Sequence, residues 1–196
     1  MSDARPVLYY DLGSPYSYLA LERAASVLGR EPELEPVLLG AIFAARGFGS
    51  WSASAARAGR VAEIEARAER YGLAPLRWPA AWPPDGLKAM RCATWAKRED
   101  GGAAFARAVF RSEFGDGADI ADVAVLRECA NGAGLDAQQM LDAIETAALK
   151  DRLREATQRA WELGVRGVPS LRVGATIFYG DDQLELAAAA LALVQG

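Results

Sequence analysis

Three short motifs hold the residue types that could do chemistry. The first is Ser14-Pro15-Tyr16-Ser17. Serine is a favoured helix N-cap, and proline suits the first helical position because its missing N–H has no partner there. A hydroxyl in that place can donate a hydrogen bond to an anion that also meets the free N–H groups and positive end of the helix. Taken alone, the pair is better explained as a cap. The second motif is Gly167-Val168-Pro169, a proline after a loop and directly before a strand. Such a proline can be cis and leave the backbone of Val168 open to an extended, peptide-like ligand. An ordinary trans proline at a strand start fits as well. The third is Gly180-Asp181-Asp182-Gln183-Leu184. Two carboxylates at a helix start could take an amino group, and the helix N–H groups a carboxylate. Asp182 and Glu185, three residues apart, also fit a capping box.

The elements that must position these motifs follow from periodicity. Val7-Leu8-Tyr9-Tyr10 is apolar and stops at Asp11-Leu12-Gly13, which predicts a buried strand and a turn. Tyr18, Leu19, Leu21, Ala25 and Leu28 give the next segment an apolar helical face, and Gly29 ends it. A second strand is expected over 34–39, making a β-α-β unit whose helix is long enough to cross between parallel strands. Residues 40–155 are rich in Ala, Arg and Glu and carry helical spacings, such as Val61, Ile64, Ala68 and Tyr71. Within them, residues 75–86 hold four prolines with Trp78 and Trp82, and must be loop or extended. Asp136 and Gln139 predict a capping box for a helix carrying Met140, Ile144 and Ala147. A helix through Leu153, Ala156, Ala160 and Trp161 stops at Gly164. Strands over 170–173 and 176–179, joined at Gly174-Ala175, and a helix over 183–194 complete the chain.

Without the helical block, the order β-α-β-α-β-β-α is that of the thioredoxin fold. The expected class is therefore α/β, a thioredoxin-like fold with a large all-helical insertion after the second strand. Residues 1–40 and 156–196 would form the thioredoxin-like domain, and 41–155 the insertion. In that fold the three motifs fall at one ligand site. The turn into the first helix normally carries Cys-x-x-Cys, where the helix end lowers the pKa of the first thiol. Here oxygens replace both sulfurs. Ser14 cannot form a disulfide, yet its hydroxyl can stabilise a thiolate that a ligand brings in. Tyr16, Trp78 and Trp82 could line an apolar pocket beside it, although the tryptophans fit the core of the insertion equally well.

Composition removes other chemistries. The chain has no histidine, which excludes Ser-His-Asp and Cys-His catalysis and histidine-ligated zinc. Its two cysteines, Cys92 and Cys129, are far apart in helical contexts and read as small buried apolar residues. No metal is expected. The net charge of −4 is mild and no block of like charge stands out, which argues against nucleic acid and membrane partners. The start of the chain lacks the pattern of a secretory signal, and the most apolar stretch, 186–194, is about half the ~20 residues of a membrane span. A cytoplasmic location is expected.

At Tyr10-Asp11-Leu12-Gly13-Ser14-Pro15-Tyr16-Ser17-Tyr18, Gly167-Val168-Pro169-Ser170 and Phe178-Tyr179-Gly180-Asp181-Asp182-Gln183-Leu184, the sequence resembles a known group. These motifs, with the proline-rich stretch from Trp78, are similar to those of the 2-hydroxychromene-2-carboxylate isomerases and kappa-class glutathione transferases, in the DsbA-like branch of thioredoxin folds. The resemblance implies that Ser14 is the catalytic residue and holds the sulfur of glutathione or another low-molecular-weight thiol. It implies that Val168, beside a cis Pro169, pairs with the peptide backbone of that cofactor, and that Asp181 and Asp182 hold its γ-glutamyl end. It implies an isomerase acting on an aromatic substrate, with a transferase or a non-catalytic ligand-binding protein as alternatives, and a homodimer. Two departures bear on this. Where the family has Asn-Asp or Ser-Asp and then Arg, this chain has Asp181-Asp182-Gln183, a negative charge gained and a positive one lost. Residues 40–54 also lack the Lys and Asn residues associated with substrate handling.

Overall fold

A computed structural model describes residues 5–47 and 49–195. The first four residues, part of the start read above for a secretory pattern, lie outside the described part. Strand β1 (Val7–Tyr10) is followed by helix α1 (Pro15–Leu28) and strand β2 (Glu33–Pro36). Helices α2 (Leu39–Arg46), α3 (Arg57–Arg70), α4 (Leu87–Arg98), α5 (Gly102–Phe110), α6 (Val123–Gly132), α7 (Ala137–Ala143) and α8 (Ala147–Glu162) come next. Strands β3 (Ser170–Val173) and β4 (Thr176–Tyr179) and helix α9 (Leu184–Gln195) close the chain. The fold is the expected thioredoxin-like α/β arrangement with its helical insertion after β2.

The sheet order is β2-β1-β3-β4. β1 runs parallel to β2 and antiparallel to β3, and β3 and β4 form an antiparallel hairpin. All four residues of β1 are buried because both faces of the sheet are covered. Leu8 and Tyr10 join a large core with α1, α4, α5 and α9, whereas Val7 and Tyr9 pack with Ile42 of α2 and Ala160 of α8. This is the two-residue alternation of a strand with a core on each side. Tyr10 and Tyr18 meet Phe110 with ring centroids 6.1 Å apart, so the insertion packs directly on the thioredoxin elements. Each such buried ring contributes about 1.5–3 kcal/mol.

The local signals hold at the ends of α1. Ser14 is its N-cap, Pro15 opens it, and Gly29 ends it with a left-handed φ of 67°. Three expectations are corrected. The second strand ends at Pro36, and Leu39 starts a helix instead, because residues outside the segment satisfy the amides at its start. The helix predicted from Asp136 through Ala147 stops at Ala143, and Thr146 caps a new helix through Leu149 N–H at 3.4 Å. The Asp182–Glu185 capping box does not form. A short 3₁₀ turn over Asp181–Gln183 precedes α9 with no side-chain cap, and Glu185 pairs with Arg23 of α1. α8 runs unbroken through the 155/156 division drawn from the sequence.

One residue is in an unusual state. Glu113 lies in a π-helical turn, Arg111–Gly115, and is 0% exposed, with neither carboxyl oxygen bonded to a described residue. Burial, and then the charges of Asp11 and Asp119, push its pKa well above the usual 4.5. The folded chain therefore holds this proton more tightly than the unfolded chain. Rising pH penalises the native state from the ordinary glutamate value up to the folded one. Glu113→Gln should match the native protein in stability near pH 4 and exceed it by ~1 kcal/mol or more at neutral pH. Urea denaturation across pH measures this, and parallel curves for the two proteins would refute it.

Candidate functional site

The active turn is built from the end of β1. Asp11 turns the chain back, accepting from Ser14 N–H on its carbonyl and from Gly13 N–H on its side chain, both at 3.0 Å. Ser14 Oγ accepts from Ser17 N–H at 3.3 Å. This uses the hydroxyl as an acceptor. Among the described residues nothing accepts its proton, so it remains a donor at the N-terminus of α1. Ser14 is only 4% exposed, but it lines a cavity of about 850 Å³.

The same cavity is lined by Val168, Pro169, Asp181, Asp182, Tyr16 and Trp82. The Val168–Pro169 peptide is cis. Among the described residues no hydrogen bond engages the backbone of Val168, whereas Pro169 C=O accepts from Gly180 N–H at 3.0 Å. Tyr179 packs close over Gly167: a Cβ there would sit 2.6 Å from its ring and would have to displace it. Trp78 is the exception among the expected pocket residues. It does not line the cavity but packs edge-on behind Trp82 at 4.9 Å, with its indole N–H donated to Glu65 at 2.9 Å. The two tryptophans are separated because Trp82 is buried in the core and Trp78 sits at its rim.

The two aspartates are not equivalent. Asp181 is 1% exposed. Its carboxylate accepts from Arg67 and from the Tyr71 hydroxyl, each at 2.9 Å, and its carbonyl accepts from Arg23 at 3.1 Å. Arg23 in turn lies 3.6 Å from the centre of the Tyr71 ring. Asp182 is half exposed, with its side chain at 51%, and stands 3.5 Å from Arg67. Arg67 also pairs with Glu63, one turn back on α3, at 2.7 Å. Partial burial pulls the Arg67 pKa down, but the Asp181 charge and the bonds to Glu63 and Asp181 carry it up. α3 thus places one cation, Arg67, against both aspartates.

Sequence reasoning did not single out this face of α3. Arg60, Glu63 and Arg67 all line the cavity, and Arg60 stands beside the Tyr16 hydroxyl. The signal was present as three charged residues at i, i+3 and i+7 on one helical face. Trp51 was missed too. It stands between Tyr16 and Trp82, with ring centroids 6.2 and 5.3 Å away, and extends the aromatic wall. Leu39 and Phe43 of α2, Pro84 and Met90 make the rest of that wall apolar. Cys92 and Cys129 are both buried and free, and burial pushes the Cys92 thiol up to about 12. Among the described residues there is no cluster of His, Cys, Asp and Glu that could hold a metal, and no helix long and apolar enough to cross a membrane.

The chain is similar to one known family and to three known proteins. Over residues 7–192 the sequence matches the DSBA-like thioredoxin domain family. The 2-hydroxychromene-2-carboxylate isomerase of Sphingobium xenophagum is 32% identical over 184 residues, which is 90% of this chain and 92% of that protein. A solved 2-hydroxychromene-2-carboxylate isomerase superposes with a TM-score of 0.86 at 23% identity, covering 97% of this chain and 95% of that one. The probable DsbA oxidoreductase of Streptomyces coelicolor follows, with a TM-score of 0.75 at 25% identity and coverage of 98% and 90%. With a turn of oxygens where the fold commonly places sulfurs, and with an isomerase as a full-length relative, the chain belongs to the DsbA-like thioredoxin family.

Proposed function

We propose that this protein is an isomerase that uses glutathione or a similar small thiol on an aromatic substrate of the 2-hydroxychromene-2-carboxylate type. The single observation that carries the reading is the Ser14 hydroxyl. It is capped on its acceptor side by Ser17 N–H and keeps its proton for a ligand inside the cavity. The residues fit such a cofactor. The unengaged backbone of Val168 suits an extended peptide, and the half-exposed Asp182 suits an ammonium group. The bound thiol would supply a nucleophile that adds reversibly to the substrate and leaves again. Ser14 would hold the thiolate by a charge-assisted hydrogen bond, aided by the positive end of α1. Tyr16, Trp51 and Trp82 would hold the aromatic ring and keep water from it. Asp181 already has its partners, so in this reading it shapes the loop while Asp182 meets the ligand.

Ser14→Ala should lower thiol-dependent turnover at least ~10-fold, which corresponds to ~1.4 kcal/mol of lost thiolate stabilisation. The change also removes a helix cap worth ~1 kcal/mol, so Ser14→Asp is the control. Aspartate caps the helix but repels a thiolate, so that variant should fold and yet fail to turn over. Equal activity in native protein and Ser14→Ala would remove Ser14 from the mechanism. Thiol binding without turnover of any electrophilic aromatic substrate would leave a ligand-binding protein.

The two aspartates can be separated by experiment. Asp182→Asn should weaken binding of a thiol with a free α-amino group about tenfold and leave its desamino analogue unaffected, with little change in stability. Asp181→Asn should instead destabilise the fold by about 2–3 kcal/mol, because it unbalances a buried pair with Arg67. Calorimetric titration and chemical denaturation read the two effects. The assignment fails if the roles are reversed.

A further inference from the structure

We infer that Asp11 is a positioning residue that locks the Ser14 turn to helix α2, so that the Ser14 wall and the apolar wall of the cavity keep one geometry. The inference rests on the proposed function only for what each wall does. Asp11 uses both carboxylate oxygens, in opposite directions. Oδ1 accepts from Gly13 N–H at 3.0 Å, and Oδ2 accepts from Leu39 N–H at 2.9 Å. Its carbonyl holds Ser14 N–H at 3.0 Å. Helix α2 has no side-chain cap of its own, since Leu38 occupies the N-cap. Asp11 therefore caps α2 from a distance of 28 residues, with the charge sign that the start of a helix favours. A second tether at the start of α2 is Thr157, whose hydroxyl accepts from Leu38 N–H at 3.0 Å, and Arg46 at its far end donates to the Arg166 carbonyl at 2.7 Å.

Charge is essential to this arrangement. A single planar group must accept from two N–H donors at once. An amide puts an N–H where one of the donors points, and protonation leaves one of the two oxygens a weaker acceptor. Burial raises the Asp11 pKa against the pull of its bonds from Leu39 and Gly13. The titratable groups that sense its charge are Tyr10 on β1 and Glu113 from the turn after α5, both made hard to ionise chiefly by burial. Arg46 lies at the far end of α2, and among the described residues no cation forms an ion pair with Asp11.

The test compares the full-length protein with Asp11→Asn and Thr157→Val. Hydrogen-exchange protection of the peptide covering α2 is followed across pH, beside the pH profile of thiol-dependent turnover. In the native protein, α2 protection and turnover should fall together on the acid side, at a pH above the ordinary aspartate range. Asp11→Asn should lose about tenfold in α2 protection and in kcat at neutral pH, and show neither acid limb. Thr157→Val should lose α2 protection but keep the acid limb. Faster exchange in Asp11→Asn with an unchanged acid limb would make Asp11 a mere structural cap and overturn the inference. So would native protection of α2 that is indifferent to pH. If no thiol supports turnover, the proposed function fails, while the exchange profile of the native protein still decides the role of Asp11.

Discussion

The register Tyr9–Ser170–Tyr179 across three strands is the constraint from which the site follows. β1 and β3 are antiparallel neighbours, so the end of one lies beside the start of the other. β3 and β4 are antiparallel as well, so the end of β4 comes to the same edge. Three segments thus meet without any contact between them having to be specified: the Asp11–Ser14 turn, the Val168–Pro169 bend and the Gly180–Asp182 turn. A register slip of one residue would exchange the two faces of β1 and send Leu8 and Tyr10 to the wrong core. The double-sided burial of β1 therefore fixes the position of the cavity as well as the sheet.

What the sheet brings together, helix α3 closes. Asp181 carries its charge at 1% exposure, which is costly unless the charge is paired and hydrogen-bonded. Arg67 and Tyr71 meet that need from α3 and its C-cap, and Arg23 from α1 holds the carbonyl of the same residue. One buried carboxylate thereby ties the insertion to the thioredoxin elements at the rim of the cavity. The sequence alone suggested a local surplus of negative charge at Asp181-Asp182-Gln183. In space Arg67 meets both aspartates, and of the two Asp182 is the one left half exposed at the cavity.

The difference between what was legible and what was not is one of range. β1, the Ser14-Pro15 start of α1, its Gly29 end and the β3–β4 hairpin were readable because their signals are local: a cap, a left-handed glycine, an alternation, a tight turn. The set of Ser14, Val168, Pro169, Asp181 and Asp182 was readable because the fold brings known positions together. The start of α2 was not, because its cap comes from Asp11, 28 residues away. The occupied state of Asp181 was not, because its partner Arg67 lies 114 residues away. Trp78 and Trp82 share one prolyl segment and one residue type, yet only Trp82 reaches the cavity. Spacing in sequence carried no information on which of them the core would take.

Replacing sulfur by oxygen at Ser14 and Ser17 changes what the scaffold can do while keeping how it does it. In a thioredoxin fold the helix end stabilises a thiolate that belongs to the protein. Here the same helix end and a hydroxyl face a cavity, and the protein's own thiols are withdrawn from it. Cys92 sits in the core with its ionisation suppressed, and Cys129 is buried in α6. A sulfur anion stabilised at this turn must then come from a ligand, and a ligand can leave. A resident cysteine pair would exchange electrons with its target, whereas a visiting thiol that adds and departs returns the substrate at the same oxidation level. With oxygens at Ser14 and Ser17 the turn cannot itself pass between dithiol and disulfide, which is why the proposed function places the sulfur on the ligand.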